Sequence, residues 1–145
     1  MDHVVYVDAK ANELENLITK KKRMIIRGAT GRKLPYGRVN VDDILYFINN
    51  NSEGQVKAKG LVSSVMNSDK LSEEDSIKLV QSNQEHPNLS EKQFQKWAGK
   101  RYIVLIGVKS IEKVTPFAID KSNYANMDDW LLVENIDLVK KKIKD

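Results

Sequence analysis

Lys20-Lys-Lys-Arg-Met-Ile-Ile-Arg27, followed by Gly37-Arg-Val-Asn-Val-Asp-Asp43-Ile-Leu-Tyr-Phe47, is the stretch on which the reading of this chain turns. Between Lys20 and Arg38 lie eight cations and no acid. The other sixteen Lys and Arg face twenty Asp and Glu, so the formal net charge of +4 comes from one local segment. A concentrated positive field in an otherwise balanced protein calls for an anionic partner, and nucleic acid is the commonest. Met24–Arg27 reads as a short strand. Gly28–Asn40, with further glycines and Pro35, reads as a long loop. Asp43–Ile48 is a continuously apolar strand of the buried kind.

The chain of 145 residues is expected to form a single domain, residues 1–145. No apolar run is long enough to span a bilayer, and the N-terminal residues lack the pattern of a secretory signal. The absence of cysteine excludes disulfide and thiolate chemistry and fits a reducing, cytoplasmic setting. His3 and His86 are the two histidines, too few for a histidine-rich metal centre.

His3–Val7 reads as a strand, with Asp8 capping a helix over Ala9–Thr19. Gln55–Val65 alternates and pairs with Asp43–Ile48 as a hairpin, and Gly60 within it predicts a bulge or close backbone approach. Ser72 opens a helix to about Gln84. Ser90-Glu-Lys-Gln93 is a capping box, with Leu89 and Phe94 as a staple, for a helix ending at Gly99. Arg101–Val108 is the clearest strand: Tyr102, Val104, Ile106 and Val108 share one face, Ile103 and Leu105 the other. A separate strand is expected near Ile111–Phe117, a loop over Asn123–Asp129, and a final helix from Val133 carrying Ile136, Val139 and Ile143. Irregularly connected strands between helices predict an α+β fold around a strongly curved or closed sheet.

The Lys20–Arg27 and Gly37–Phe47 segments resemble the signature of ASCH domains, small PUA-like β-barrel proteins related in fold to PUA, EVE and YTH modules. Lys22 matches the pattern's Lys, Arg27 its Arg and Asp43 its Asp, while Lys20, Ile25 and Asp42 depart from it. The resemblance implies a PUA-like curved β-barrel with flanking helices. It also implies a cleft beside the first helix, lined by Lys22–Arg27, which in this superfamily often receives RNA or a modified base. Some small ASCH proteins are amidohydrolases of acylated cytidine that use a Lys and a Thr of this motif. Ile25 occupies the Thr position and has no nucleophilic oxygen.

The expected nucleic-acid-binding residues are Lys20, Lys22, Arg23, Arg27, Arg32, Lys33, Tyr36 and Arg38. Arg offers bidentate phosphate contacts and Tyr36 a stacking ring. Trp130 and Tyr124 are further candidates for base stacking, whereas Phe94, Trp97 and Phe117 read as core. The acidic clusters are explained by helix starts and strand alternation, so no metal and no cofactor is expected. Binding of RNA or a modified nucleotide is the leading reading. A nucleoside or RNA hydrolase and a protein-interaction module are the alternatives.

Overall fold

The computed structural model describes residues 1–122, 124 and 129–141. In chain order it contains β1 (Asp2–Val7), α1 (Glu13–Ile18), β2 (Met24–Ala29), β3 (Ile44–Asn49), β4 (Gln55–Asn67), α2 (Glu73–Ser82), α3 (Glu91–Trp97), β5 (Tyr102–Ala118) and β6 (Trp130–Glu134). A 3-10 turn follows at Ile136–Leu138. The strands form one sheet in the order β2-β5-β4-β3-β1-β6. Only the β1–β3 pair is parallel.

Bulges curl this sheet. β4 and β5 pair over most of their length, with register shifts at Val56/Ala58, Lys59/Leu61 and Val62/Ser64. Each extra residue bends its strand and increases local twist. Gly60 lies at the middle shift, as its place in the sequence predicts. A Cβ there would stand 3.0 Å from Ile111 Cγ1 and 3.4 Å from Phe47 Cε2. Within β5, Ser110 takes the left-handed conformation (φ 53) and lets one strand bend where the sequence suggested two.

Three apolar clusters follow from the strand alternation. Val104, Ile106 and Val108 face the inside of the curl with Val5, Ile25, Phe47 and Val62, and Leu14 and Leu17 of α1 close over them. Ile103 and Leu105 point the other way and, with Ile26, meet Val80, Leu89 and Trp97 of the α2–α3 layer. Val4, Leu131 and Val133 pack with Ile136 and Val139. The result is an α+β half-barrel whose two edge strands, β2 and β6, are not joined by a ladder.

The helix starts follow their caps. Ser90 Oγ accepts from Gln93 N at 3.2 Å and Gln93 Oε1 accepts from Ser90 N at 3.1 Å, the full box expected for α3. Ser72 Oγ accepts from Asp75 N at 3.1 Å. α1 is shorter than expected. Asp8 Oδ1 accepts from Lys10 N and Ala11 N, but this turn passes through left-handed Asn12 (φ 54) before the helix begins at Glu13. The expected helix from Val133 is not formed. Trp130–Glu134 is β6, antiparallel to β1, and only the 3-10 turn follows. Branched Leu131 and Val133 alternate onto the sheet face, and that burial outweighs the helical spacing of Ile136 and Val139. Ile143 lies outside the described residues. Among those residues no helix is long and apolar enough to cross a membrane.

Candidate functional site

Where the ladder fails to close, a side chain bridges the gap. Arg27 of β2 reaches across to β1, where Nη2 donates to Tyr6 O at 2.8 Å, while Nη1 donates to Ile26 O at 3.0 Å. The guanidinium is buried between two indoles, its Cζ 5.5 Å from the Trp97 ring centre and 5.8 Å from that of Trp130. Its Nε has no hydrogen-bond partner, and Asp129 Oδ2 stands 3.7 Å away. This atom is buried, so the Asp129 carboxylate is the charge that compensates it.

Two clefts open along this seam and share Arg27, Trp97 and Asp129. The first is walled by the end of β2, by the loop that follows it, including Lys33 and Tyr36, and by Tyr102. The second is lined by Tyr6, Asp8, Glu13, Asn50, Gln93 and Lys96. Aromatic rings and cations alternate around the rim. Tyr36 and Tyr102 meet edge to face at 5.5 Å, and Arg32 Cζ lies 5.7 Å from each ring. Lys96 Nζ sits 4.6 Å over Trp97. The Tyr36 hydroxyl donates to Ser68 O, fixing the loop against the end of β4.

Beneath the second cleft lies a buried ionic cluster. Lys22 Nζ contacts Glu13 Oε2 at 2.9 Å and donates to Pro87 O at 2.7 Å, and Gln93 Nε2 donates to Glu13 Oε2 at 2.8 Å. Burial alone would raise the Glu13 carboxyl, but the Lys22 ammonium, the Arg27 guanidinium and these hydrogen bonds outweigh it and hold its pKa below the usual range. Burial pulls Lys22 below the ordinary lysine value, against the attraction of Glu13. A second buried chain runs Trp130–His3–Asp43: indole Nε1 to His3 Nδ1 at 3.0 Å, and His3 Nε2 to Asp43 Oδ2 at 2.9 Å. An indole N–H only donates, so Nδ1 accepts and the ring proton sits on Nε2. Burial lowers the His3 pKa despite Asp43.

The structure divides the sequence's basic segment. Arg27, Lys33 and Tyr36 line the seam, and Arg32 stacks at its rim. Arg38 is exposed on the same loop. Lys20 and Arg23 are exposed at the opposite end of β2, about 20 Å from Ala29 at the rise of a strand. Lys22 requires correction as a surface phosphate ligand. Its side chain is 2% exposed because Glu13 and Pro87 O hold it inside. Trp130 requires correction too. At 1% exposure, hydrogen-bonded to His3, it is core and not a stacking platform. Tyr124 packs on the Val4–Leu131 cluster and lines neither seam cleft.

Trp97 takes the place expected of Trp130. Its burial is real, at 8% exposed, yet its ring forms a wall of both clefts. Tyr102, Gln93 and Asp129 were likewise missed. Residue type gave no warning, because these side chains come from three distant segments and meet only when the sheet curls. Among the described residues no cluster of His, Asp and Glu forms a metal-ligand set.

No protein-family model and no curated protein matches the sequence. Solved structures do. A tyrosine-to-phenylalanine variant of an ASCH protein from Zymomonas mobilis superposes with TM-score 0.67 at 12% identity, covering 91% of this chain and 89% of that one. The unsubstituted ASCH protein gives 0.65 at 14% identity over 91% and 87%. A serine-to-alanine variant gives 0.65 at 14% over 95% and 96%. At such identity the likeness speaks for architecture alone, and the architecture is an ASCH-type α+β fold.

Proposed function

We propose that the seam cleft binds single-stranded RNA or a modified nucleotide. A base would sit against Trp97 and the Tyr36–Tyr102 pair, an acceptor atom would meet Arg27, and phosphates would lie along Arg32, Lys33 and Lys96. The observation that carries this is Arg27: a guanidinium set between indoles at the floor of a cleft with an aromatic and cationic rim. Stacking on such rings contributes about 1–3 kcal/mol per base and tolerates any sequence.

The hydrolase alternative draws on the closeness of Lys22 and Glu13. It would need a nucleophile other than the Thr of the amidohydrolase pattern. Ile25 is fully buried in the inner cluster, and no Ser or Thr lines either seam cleft among the described residues. The test is titration of labelled oligoribonucleotides into the wild type and Trp97→Ala at several salt concentrations. Binding should weaken steeply with salt, through counterion release, and fall roughly tenfold in Trp97→Ala. Binding that ignores both salt and Trp97 would overturn the reading.

A further inference from the structure

The bulge at Val62/Ser64 builds something that the seam does not use. Ser64 pairs with Gly107, and Ser63 is the extra residue. A bulge re-aims side chains, and here both hydroxyls converge on the bare Cα of Gly107. A Cβ added there would lie 2.3 Å from Ser64 Oγ and 2.8 Å from Ser63 Oγ. Among the described residues neither hydroxyl has a hydrogen-bond partner.

Arg23 and His86 add the other polar side chains that line this shallow pocket, beside Met24 and Val108. Arg23 N donates to His86 O at 2.7 Å, and Arg23 Nη2 meets His86 Nδ1 at 3.2 Å. A guanidinium only donates, so Nδ1 accepts, and the neutral ring carries its proton on Nε2. The polar side chains of the pocket therefore all offer donors: a guanidinium, an imidazole N–H and two hydroxyls. No carboxylate lines it. Exposed Lys20 and Lys21 stand just before Arg23 and strengthen the positive field.

We propose that this pocket is a second binding site, for the oxyanion of a phosphate group. It lies at the opposite end of β2 from the seam. The guanidinium fork and two hydroxyls suit an anion with several acceptor oxygens. The geometry stands without the seam. That the phosphate belongs to an RNA backbone extending from the cleft rests on the proposed function.

The test uses the full chain, isotopically labelled, titrated first with inorganic phosphate at constant ionic strength. The backbone amide signals of Arg23, Ser64 and Gly107 should shift saturably, while that of Trp97 stays in place. The shifts should disappear in the double variant Ser63→Ala/Ser64→Ala and in Arg23→Ala, which alter exposed side chains and leave the apolar clusters intact. A ten-residue oligouridylate then separates the sources. A loss of roughly tenfold in its affinity in Arg23→Ala identifies a polynucleotide phosphate. Unchanged affinity, with the phosphate shifts retained in the wild type, identifies a free phosphate or small phosphoester. If phosphate produces no saturable shift, or shifts both variants as it does the wild type, the second site is refuted. Failure of the seam reading would show separately, as an oligonucleotide that leaves Trp97 unmoved.

Discussion

Arg27 links the architecture to the recognition proposed for the seam. It ties β2 to β1 across the unclosed side of the sheet and keeps Asp129 beside its Nε. Arg27→Ala should therefore lower RNA affinity more than Lys140→Ala, by roughly 1.5–3 kcal/mol for a desolvated charged hydrogen bond. Lys140 lies near the end of the described chain, with Nζ 4.6 Å over the Phe117 ring and outside both seam clefts. Equal small losses at the two positions, measured by fluorescence anisotropy, would mean diffuse attraction without a specific cleft. Ile25 carries the corresponding prediction about chemistry. With a buried hydrocarbon where the amidohydrolase pattern has Thr, the protein should not turn over acylated cytidine. Activity in the wild type that vanishes in Lys22→Ala would contradict this. The Arg27 position was legible in the sequence through the Lys20–Arg27 motif. The exchange of roles between Trp97 and Trp130 was not, because both are large aromatics beside polar residues and only tertiary contacts separate core from cleft wall.

Between elements, the Glu13–Lys22–Gln93 cluster ties α1, the start of β2 and α3 together, and Lys22 adds Pro87 before α3. Removing one partner of a buried pair leaves an uncompensated charge and costs about 3–5 kcal/mol. Glu13→Gln should lose that much in urea unfolding at neutral pH. The pH dependence follows from the depressed pKa values of Glu13 and His3. In each case the unfolded chain binds the proton more readily than the folded one, so stability is greatest at higher pH. It should decline as pH falls below 6.5, where unfolded His3 takes its proton, and again below 4.5 as unfolded Glu13 does. Flat stability from pH 7 to about pH 5 would contradict the His3 assignment, and flat stability from there to about pH 3 the Glu13 assignment. Helix caps and strand alternation were readable because local chemistry decides them: Ser90 with Gln93, Ser72 with Asp75, and the two faces of Tyr102–Val108. The last strand was misread because the spacing of Ile136 and Val139 is compatible with a helix. The edge of β1, which claims Trp130–Glu134, is remote in sequence.

At the scale of the molecule, the open seam organises the account. A sheet bent by the three register shifts between β4 and β5 but left unclosed gives a cleft floored by Arg27 and walled by Trp97, Tyr102 and the basic loop after β2. The charge asymmetry of the sequence raised the expectation of an anionic partner. It gave no sign that β2 would carry one group of cations to the seam and leave another at its far end. The most direct test of the seam as the nucleotide site uses the two indole N–H signals of the isotopically labelled protein during titration with a single-stranded oligoribonucleotide. Trp130 is the internal control, since its N–H is bound to His3 in the core. The account predicts that the Trp97 signal shifts saturably, with an affinity that falls steeply as salt rises, while Trp130 moves little. Bound oligonucleotide with an unmoved Trp97 signal would place the binding elsewhere and contradict the account.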